Sequence, residues 1–357
     1  MKVLLLAGEQ SGKIYADEIA AALKGAEVRG YGDYGFEIAD LAVMGIWPVL
    51  RRIGYFMRVK RTMQRVIDEW RPDVVCTIDY PGMNLRLAAY AKSRGIRAVH
   101  VVCPQVWAWK RGRIPKIEAA LDKLVCFFPF EPAFFKPGFA EFYGHPLAQQ
   151  FEAAKSDVRR TKRLVAILPG SRISEIERNF PIMLAAAQML KDVTIEIPAA
   201  NPRAMSAIRR ILASSPLAAT AKILDGGARE LLLRADVAAV ASGTATLEAA
   251  LARCPTALVY RVSALFAWLA RRVITGVRHI GLANIVWEKA HPEATEFPMP
   301  EILQEDFTPE ALAKQLSLWL DDDAARARAV KSLDDTCALL ASSGDAPARI
   351  ANLLRGK

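Results

Sequence analysis

Short apolar runs alternate with amphipathic stretches along most of this chain. Val3–Ala7, Asp73–Ile78, Ala98–Val102 and Leu124–Phe127 are four to six residues long, nearly free of charge and bounded by polar or glycine-containing turns. Such runs predict buried strands. Ile14–Leu23 and Leu85–Ser93 between them read as helices. A polar stretch, Phe151–Arg163, interrupts the series and is read as the inter-domain linker. A second series follows, with strands at Leu164–Leu168, Thr194–Pro198, Ala221–Leu224, Val237–Val240 and Thr256–Val259 and a helix from Arg172 to about Leu190. Strands alternating with helices of this length give right-handed βαβ units and parallel sheets. The predicted architecture is α/β: two Rossmann-like parallel-sheet domains, residues 1–155 and 160–330, with ligands at the strand carboxyl ends in an inter-domain cleft. From Glu310 the pattern is helical, and 331–357 reads as terminal helices able to pack back on the first domain.

Composition narrows the class. At 52% hydrophobic and 24% charged, the 357 residues are those of a globular protein and not a disordered one. Five scattered cysteines (Cys76, Cys103, Cys126, Cys254, Cys337) without a CxxC predict buried thiols in a reducing compartment. The chain opens on a strand pattern, with no secretory signal and no apolar stretch long enough to span a bilayer, so a soluble or peripheral protein is expected. Its net charge of +10 favours phosphate-bearing partners: nucleic acid, an anionic membrane surface or a phosphorylated substrate.

That charge is unevenly spread. Arg51, Arg52, Arg58, Lys60, Arg61 and Arg65 form a run with no acidic residue inside it. At helical spacing Arg51, Arg58, Arg61 and Arg65 share a face, while Leu50, Ile53, Phe56, Met57, Met63 and Val66 supply apolar surface. This is either a basic amphipathic helix for anionic lipid headgroups or a solvated face whose apolar side is core. No nucleic-acid-binding motif accompanies it, so nucleic acid is not the expected partner.

Several strand-to-helix turns carry candidate chemistry. Gly8-Glu9-Gln10-Ser11-Gly12-Lys13 has three residues between its glycines where a P-loop needs four, and Ile14 where the magnesium ligand belongs. It remains a glycine turn able to aim backbone N–H groups at a ligand, or a tight turn with none. Leu168-Pro169-Gly170-Ser171-Arg172 adds a guanidinium suited to phosphate oxygens. In Ala241-Ser242-Gly243-Thr244-Ala245-Thr246-Leu247-Glu248, small residues at a helix start leave room for a diphosphate, with Glu248 a turn further in and placed for ribose hydroxyls. Asp79 ends a strand, either as a general base in the cleft or as a turn residue. Trp107 and Trp109 either line a sugar or acyl site or simply pack, and a structural hydrogen bond is the default for His145. Asp321-Asp322-Asp323 reads as a helix cap, and neither a metal nor a cofactor is expected.

In order along the chain these motifs resemble the lipid-A-disaccharide synthase family, glycosyltransferases of the GT-B fold. The matching residues are Ala7-Gly8-Glu9 with Ser11-Gly12, Leu41–Gly45, Ile78-Asp79 with Pro81 and Asn84, Pro104 with Val106–Trp109, Phe128–Glu131 and Gly144–Pro146. They continue with Leu168–Arg172, Leu224–Gly226, Ala241–Ala245 with Leu247-Glu248, Tyr260-Arg261 and Asn284, so that the resemblance spans roughly residues 3 to 310. It implies an acceptor domain followed by a UDP-sugar donor domain. UDP-2,3-diacylglucosamine and 2,3-diacylglucosamine 1-phosphate would be joined with inversion into a β-1,6 disaccharide, releasing UDP. Another UDP-sugar enzyme of the same fold, a different lipid-linked transferase or an epimerase, is the alternative.

The resemblance makes Asp79 the base, Arg172 and the Ser242–Thr244 amides the stabilisers of leaving UDP without metal, Glu248 a ribose ligand and Asn284 a donor-site contact. Gly170 and Ser171 line the donor side, and Glu9, Ser11 and Trp107 the acceptor side. It also implies a peripheral enzyme on the cytoplasmic face of the inner membrane, and a homodimer with exchanged C-terminal regions. Departures are Lys13 where the family has Asp, a short Gly30–Gly35 loop, and Val286-Trp287-Glu288-Lys289 with an insertion to about Pro300.

Overall fold

The computed structural model describes residues 1–41, 51–155, 160–263, 267–268, 272, 275–341 and 344–356. The chain divides into two compact units: Met1–Pro146 with Ser342–Lys357, and Leu147–Ala341.

The first unit is built on β1 (Lys2–Ala7), α1 (Gln10–Ala22), β2 (Glu27–Arg29), α2 (Ile38–Leu41), α3 (Ile53–Trp70), β3 (Val74–Ile78) and α4 (Pro81–Ser93). It continues through β4 (Arg97–Val101), α5 (Ile114–Ala120), β5 (Lys123–Cys126) and β6 (Ala140–Phe142). Its strands pair in parallel in the order β2-β1-β3-β4-β5-β6, with Val3 opposite Val74 and Ala7 opposite Ile78. β1 and β3 are buried almost end to end because helices cover both faces, which is why they read as unbroken apolar runs. Ile19 of α1 and Leu23, which caps its end, pack with Val3 and Leu5 on one face, and Val59, Met63 and Ile67 of α3 with Leu4 and Leu6 on the other.

The second unit comprises α6 (Pro146–Lys155), β7 (Leu164–Leu168), α7 (Ile173–Gln188), β8 (Thr194–Ala199), α8 (Pro202–Ala213), β9 (Lys222–Asp225), α9 (Ala228–Arg234) and β10 (Val237–Ala241). It goes on with α10 (Thr244–Leu251), β11 (Thr256–Tyr260), α11 (Leu282–Ala290), β12 (Glu301–Leu303), α12 (Pro309–Asp321) and α13 (Asp323–Leu340). The parallel order is β12-β11-β10-β7-β8-β9. Several helix starts are signalled locally. Proline stands in the first turn of α8 and α12, preceded by Asn201 and Thr308, whose side chains accept from Ala204 N and Ala311 N. Asp322 caps α13 by accepting from Ala324 N (2.8 Å) and Ala325 N (3.0 Å), so the aspartate run serves a helix end.

Three expectations change. The stretch read as a linker is no free tether: Phe151 of α6 is fully buried, with the Arg229 guanidinium 5.1 Å from its ring centre. Arg160 donates to the carbonyls of Ala252 and Arg253 at 2.7 Å each. The division between units falls at the start of α6, between Pro146 and Leu147. The last helix, α14 (Ala346–Leu354), packs on the first unit, burying Ile350, Leu353 and Leu354 beside Ile19 and Leu23, whereas α13 belongs to the second. In α3, Phe56, Met63 and Val66 are core, so three of the six apolar residues assigned to a membrane face are already used; Leu50 lies outside the described residues. Arg51, Arg58, Arg61 and Arg65 are exposed, and so are Ile53 and Met57 (58% and 44%).

Candidate functional site

In an open parallel sheet the crevice forms where strand order reverses, because the loops leaving the two adjacent strands run to opposite faces. The second unit reverses between β7 and β10. The turns leaving those strands line a cavity of about 310 Å³ with Gly170, Ser171, Arg172, Ser242, Gly243, Thr244 and Glu248 among its walls. Gly170 has φ +108°, and a Cβ there would stand 3.0 Å from Glu175 Oε2. Gly243 has φ +145° and immediately precedes α10, leaving its first N–H groups uncovered by side-chain caps. Arg172 Nη1 donates to Glu175 Oε1 at 2.7 Å, and the Tyr260 hydroxyl donates to the same oxygen at 3.3 Å. Glu175 thus holds the guanidinium at the rim, with the Arg172 side chain 59% exposed and able to reach an anion. Burial raises the Glu248 carboxyl above its ordinary value, and the positive charge of Arg229 partly offsets this. An open helix N-terminus, flexible glycines and a guanidinium make this an anion site, with a carboxylate left to accept from hydroxyls.

The first unit reverses between β1 and β3, and the chemistry there is acidic. Asp79 and Tyr80 are consecutive left-handed residues (φ 49° and 50°), each costing about 1–3 kcal/mol. The Tyr80 ring lies against Gly8 so closely that a Cβ there would come within 2.6 Å of it. Tyr80 N donates to Asp79 Oδ1 at 2.8 Å. Burial raises the Asp79 carboxyl despite that bond; burial, then the charge of Asp79, raises Glu9 as well. A carboxyl raised by burial at a strand end suits proton abstraction. Ser11 lies in the first turn of α1.

Other expected residues stand elsewhere. Trp107 is buried (2% exposed), its Nε1 donating to Glu131 Oε1 at 3.0 Å, so it packs and lines no sugar site; Trp109 is exposed, with Lys110 Nζ 4.2 Å from its ring centre. Glu131 also accepts from Phe127 N and Phe128 N, and burial pushes its carboxyl up to about 7. With Cys103 and Cys126 it forms a tight buried group. His145 packs against Phe127 and Phe128, its pKa lowered to about 4 by burial. Asn284 is fully buried, its amide donating to Met299 O (2.8 Å) and Glu301 Oε1 (2.9 Å) and accepting from Met299 N (3.0 Å). It does not line the cavity. The sequence reading gave no role to Tyr260 as a partner of Glu175, since the two meet only through the fold.

Known proteins bear on the family and the fold. A family model described as lipid-A-disaccharide synthetase matches residues 3–346. A lipid-A-disaccharide synthase of Chromohalobacter salexigens is 35% identical over 353 residues, covering 91% of this chain and 89% of that protein. One from Anaeromyxobacter dehalogenans is 33% identical over 381 residues, covering 99% and 97%. Among solved structures, a UDP-GlcNAc 2-epimerase from Neisseria meningitidis bound to UDP-GlcNAc superposes with TM-score 0.64 at 12% identity over 100% of both chains. Arabidopsis thaliana UGT89C1 complexed with UDP gives 0.55 at 13% identity over 99% and 98%. At such identities the structures speak for the fold alone, which is GT-B, while the sequence relatives speak for the activity. By the match from residue 3 to 346 and these relatives, the chain belongs to the lipid-A-disaccharide synthase family and is a glycosyltransferase.

Proposed function

We propose that this chain transfers 2,3-diacylglucosamine from UDP to the 6-hydroxyl of 2,3-diacylglucosamine 1-phosphate. Asp79 accepts the hydroxyl proton, the oxygen attacks the anomeric carbon in line, and UDP leaves with the electrons of the broken C–O bond, giving the β-1,6 disaccharide 1-phosphate. Arg172 and the N–H groups at Ser242–Thr244 take up the charge growing on the diphosphate, the largest electrostatic demand of the step. Gly170 and Ser171 let the backbone approach, and Glu248 accepts from the ribose. Burial keeps the base's pKa raised, and Glu9 lies beside it on the acceptor side. The observation that carries the reading is the β7–β10 cavity, where Arg172 stands across from an uncapped helix start. The donor contact implied for Asn284 is left out, because its amide is spent on Met299 and Glu301. So is the lining role of Trp107.

Both substrates carry acyl chains, so the enzyme would work at the cytoplasmic face of the inner membrane. Arg58, Arg61 and Arg65, with Ile53 and Met57 exposed beside them, are the surface proposed to rest there. No helix among the described residues is long and apolar enough to cross a membrane. Changing the three arginines to glutamate should abolish flotation with anionic vesicles; retained flotation would remove that face. A homodimer exchanging C-terminal regions would present α14 to a partner's first unit. The decisive test incubates the purified chain with both lipids and follows products by mass spectrometry. The tetraacyl disaccharide 1-phosphate with equimolar UDP is expected. An epimerised UDP-sugar, or UDP without disaccharide, would replace this reading with another UDP-sugar reaction.

A further inference from the structure

Two successive left-handed residues need something to hold them, and at Asp79 and Tyr80 it is a side chain. Asn84, fully buried in the first turn of α4, shares its two Nδ2 hydrogens among three carbonyls: Leu6 O at 3.1 Å, Ile78 O at 3.0 Å and Asp79 O at 2.8 Å. It thereby ties the end of β1 to the end of β3 and grips the peptide of Asp79 itself. An amide can do this only if its oxygen faces a donor. That donor is the Tyr31 hydroxyl, 2.7 Å from Asn84 Oδ1 and also buried. Tyr31 comes from the turn that follows β2, which Gly30 lets close on β1: a Cβ at Gly30 would stand 2.9 Å from Leu5 O. Burial drives the ionisation of Tyr31 far above the ordinary phenol range, so the hydroxyl stays a donor at any working pH.

We infer that Tyr31, acting through Asn84, is a positioning residue for the Asp79 carboxylate. The chain of bonds runs from the turn after β2 through a tyrosine and an asparagine, both buried, to the backbone of the residue whose aim decides proton transfer. The inference rests on the reading of Asp79 as base. Misaiming a catalytic group by a fraction of its reach costs rate and spares binding.

Tyr31→Phe tests it, because the ring and its packing remain and one hydroxyl goes. With both lipid substrates, kcat should fall about 10-fold while KM for each stays as in the parent. The acid limb of kcat against pH should also move toward the ordinary carboxylate range as Asp79 loosens into water; Glu9 and Tyr80 are the other titratable groups around it. A lowered melting temperature with parental kcat and acid midpoint would reduce Tyr31 to a fold staple and overturn the inference. Asp79→Asn is run alongside. Full turnover in Asp79→Asn would sink the base assignment itself, whatever Tyr31→Phe does. Loss of turnover there, with Tyr31→Phe indistinguishable from the parent, would sink the positioning inference alone. Should Tyr31→Phe fold poorly, Asn84→Ser, which keeps a short donor, is expected to show the same split between kcat and KM.

Discussion

The two units obey one topological rule and put opposite chemistry at the place it creates. Each sheet reverses beside its opening strand, β1 against β3 in one and β7 against β10 in the other. At the first reversal stand Glu9 and Asp79, two half-buried carboxyls raised by desolvation and, in Glu9, by the neighbour's charge. At the second stand Gly170, Arg172 and the bare start of α10, with Glu175 held by Arg172. Parallel topology fixes where a ligand can bind; the few residues of each turn fix which charge it must carry. On the reading proposed above, one reversal takes a proton and the other receives an anion, and a transfer that deprotonates an acceptor while expelling a diphosphate needs both.

The strongest way to break this division is to neutralise one side and watch the other. Asp79→Asn should lower turnover by about 10²-fold or more, the scale of general-base removal, with UDP affinity measured by calorimetry unchanged. If UDP binding fell as well, the two reversals would not be separable in function. Arg172→Ala should act in the opposite sense. We expect a loss of about 10²-fold in kcat, the scale for removing one charge-stabilising donor, together with weaker UDP binding and an unaltered acid limb in the pH profile. Turnover close to the parent's would take Arg172 out of the mechanism.

A gentler probe alters backbone instead of charge. Gly170 sits at φ +108° with Glu175 Oε2 3.0 Å from where a Cβ would be. Gly170→Ala should strain the turn by about 1–3 kcal/mol and weaken UDP roughly 10-fold. The corresponding glycine of the first unit, Gly8, meets the Tyr80 ring and not an anion site. Gly8→Ala should therefore disturb Tyr80 and turnover and leave UDP affinity alone. Equal effects of both alanines on UDP would erase the contrast.

How much of this was legible in the chain differs by region for physical reasons. The central strands announced themselves because burial on both faces demands continuous apolar runs. The edge strands β2, β6 and β12 did not, being three residues long with glutamate in each and partly exposed. The β7–β10 cavity was readable because its parts are local: a strand, a glycine turn and a helix start within a few residues. The acid side was half readable. Asp79 stood out, but its hold through Asn84 and Tyr31 joins residues 53 positions apart. Helix α3 shows the limit of periodicity: it separates two faces without saying that Met63 and Val66 belong to the core and Ile53 and Met57 to the outside. Trp107 misled for a similar reason, since an indole beside a proline says nothing of the buried glutamate waiting for its N–H.

The smallest effect concerns stability, and it sharpens the acidic side of the contrast. Glu131, just beyond β5, is a third carboxyl at the carboxyl edge of the first sheet, raised by burial to about 7 from the ordinary value of 4.5. A raised folded pKa means that protonated Glu131 favours the native state. Its contribution is complete below about 4.5 and disappears as pH rises through about 7. Glu131→Gln cannot titrate, and one end of its amide would face N–H donors from Trp107 or from Phe127 and Phe128. The variant should thus melt several degrees below the parent at about pH 5, and the gap should narrow toward about pH 8 as the parent's own carboxyl ionises. A gap constant across that range would mean that Glu131 is already ionised at the lower pH, stabilised by its three donors more than burial penalises it. The acidic character of this edge would then extend to a full charge inside the unit.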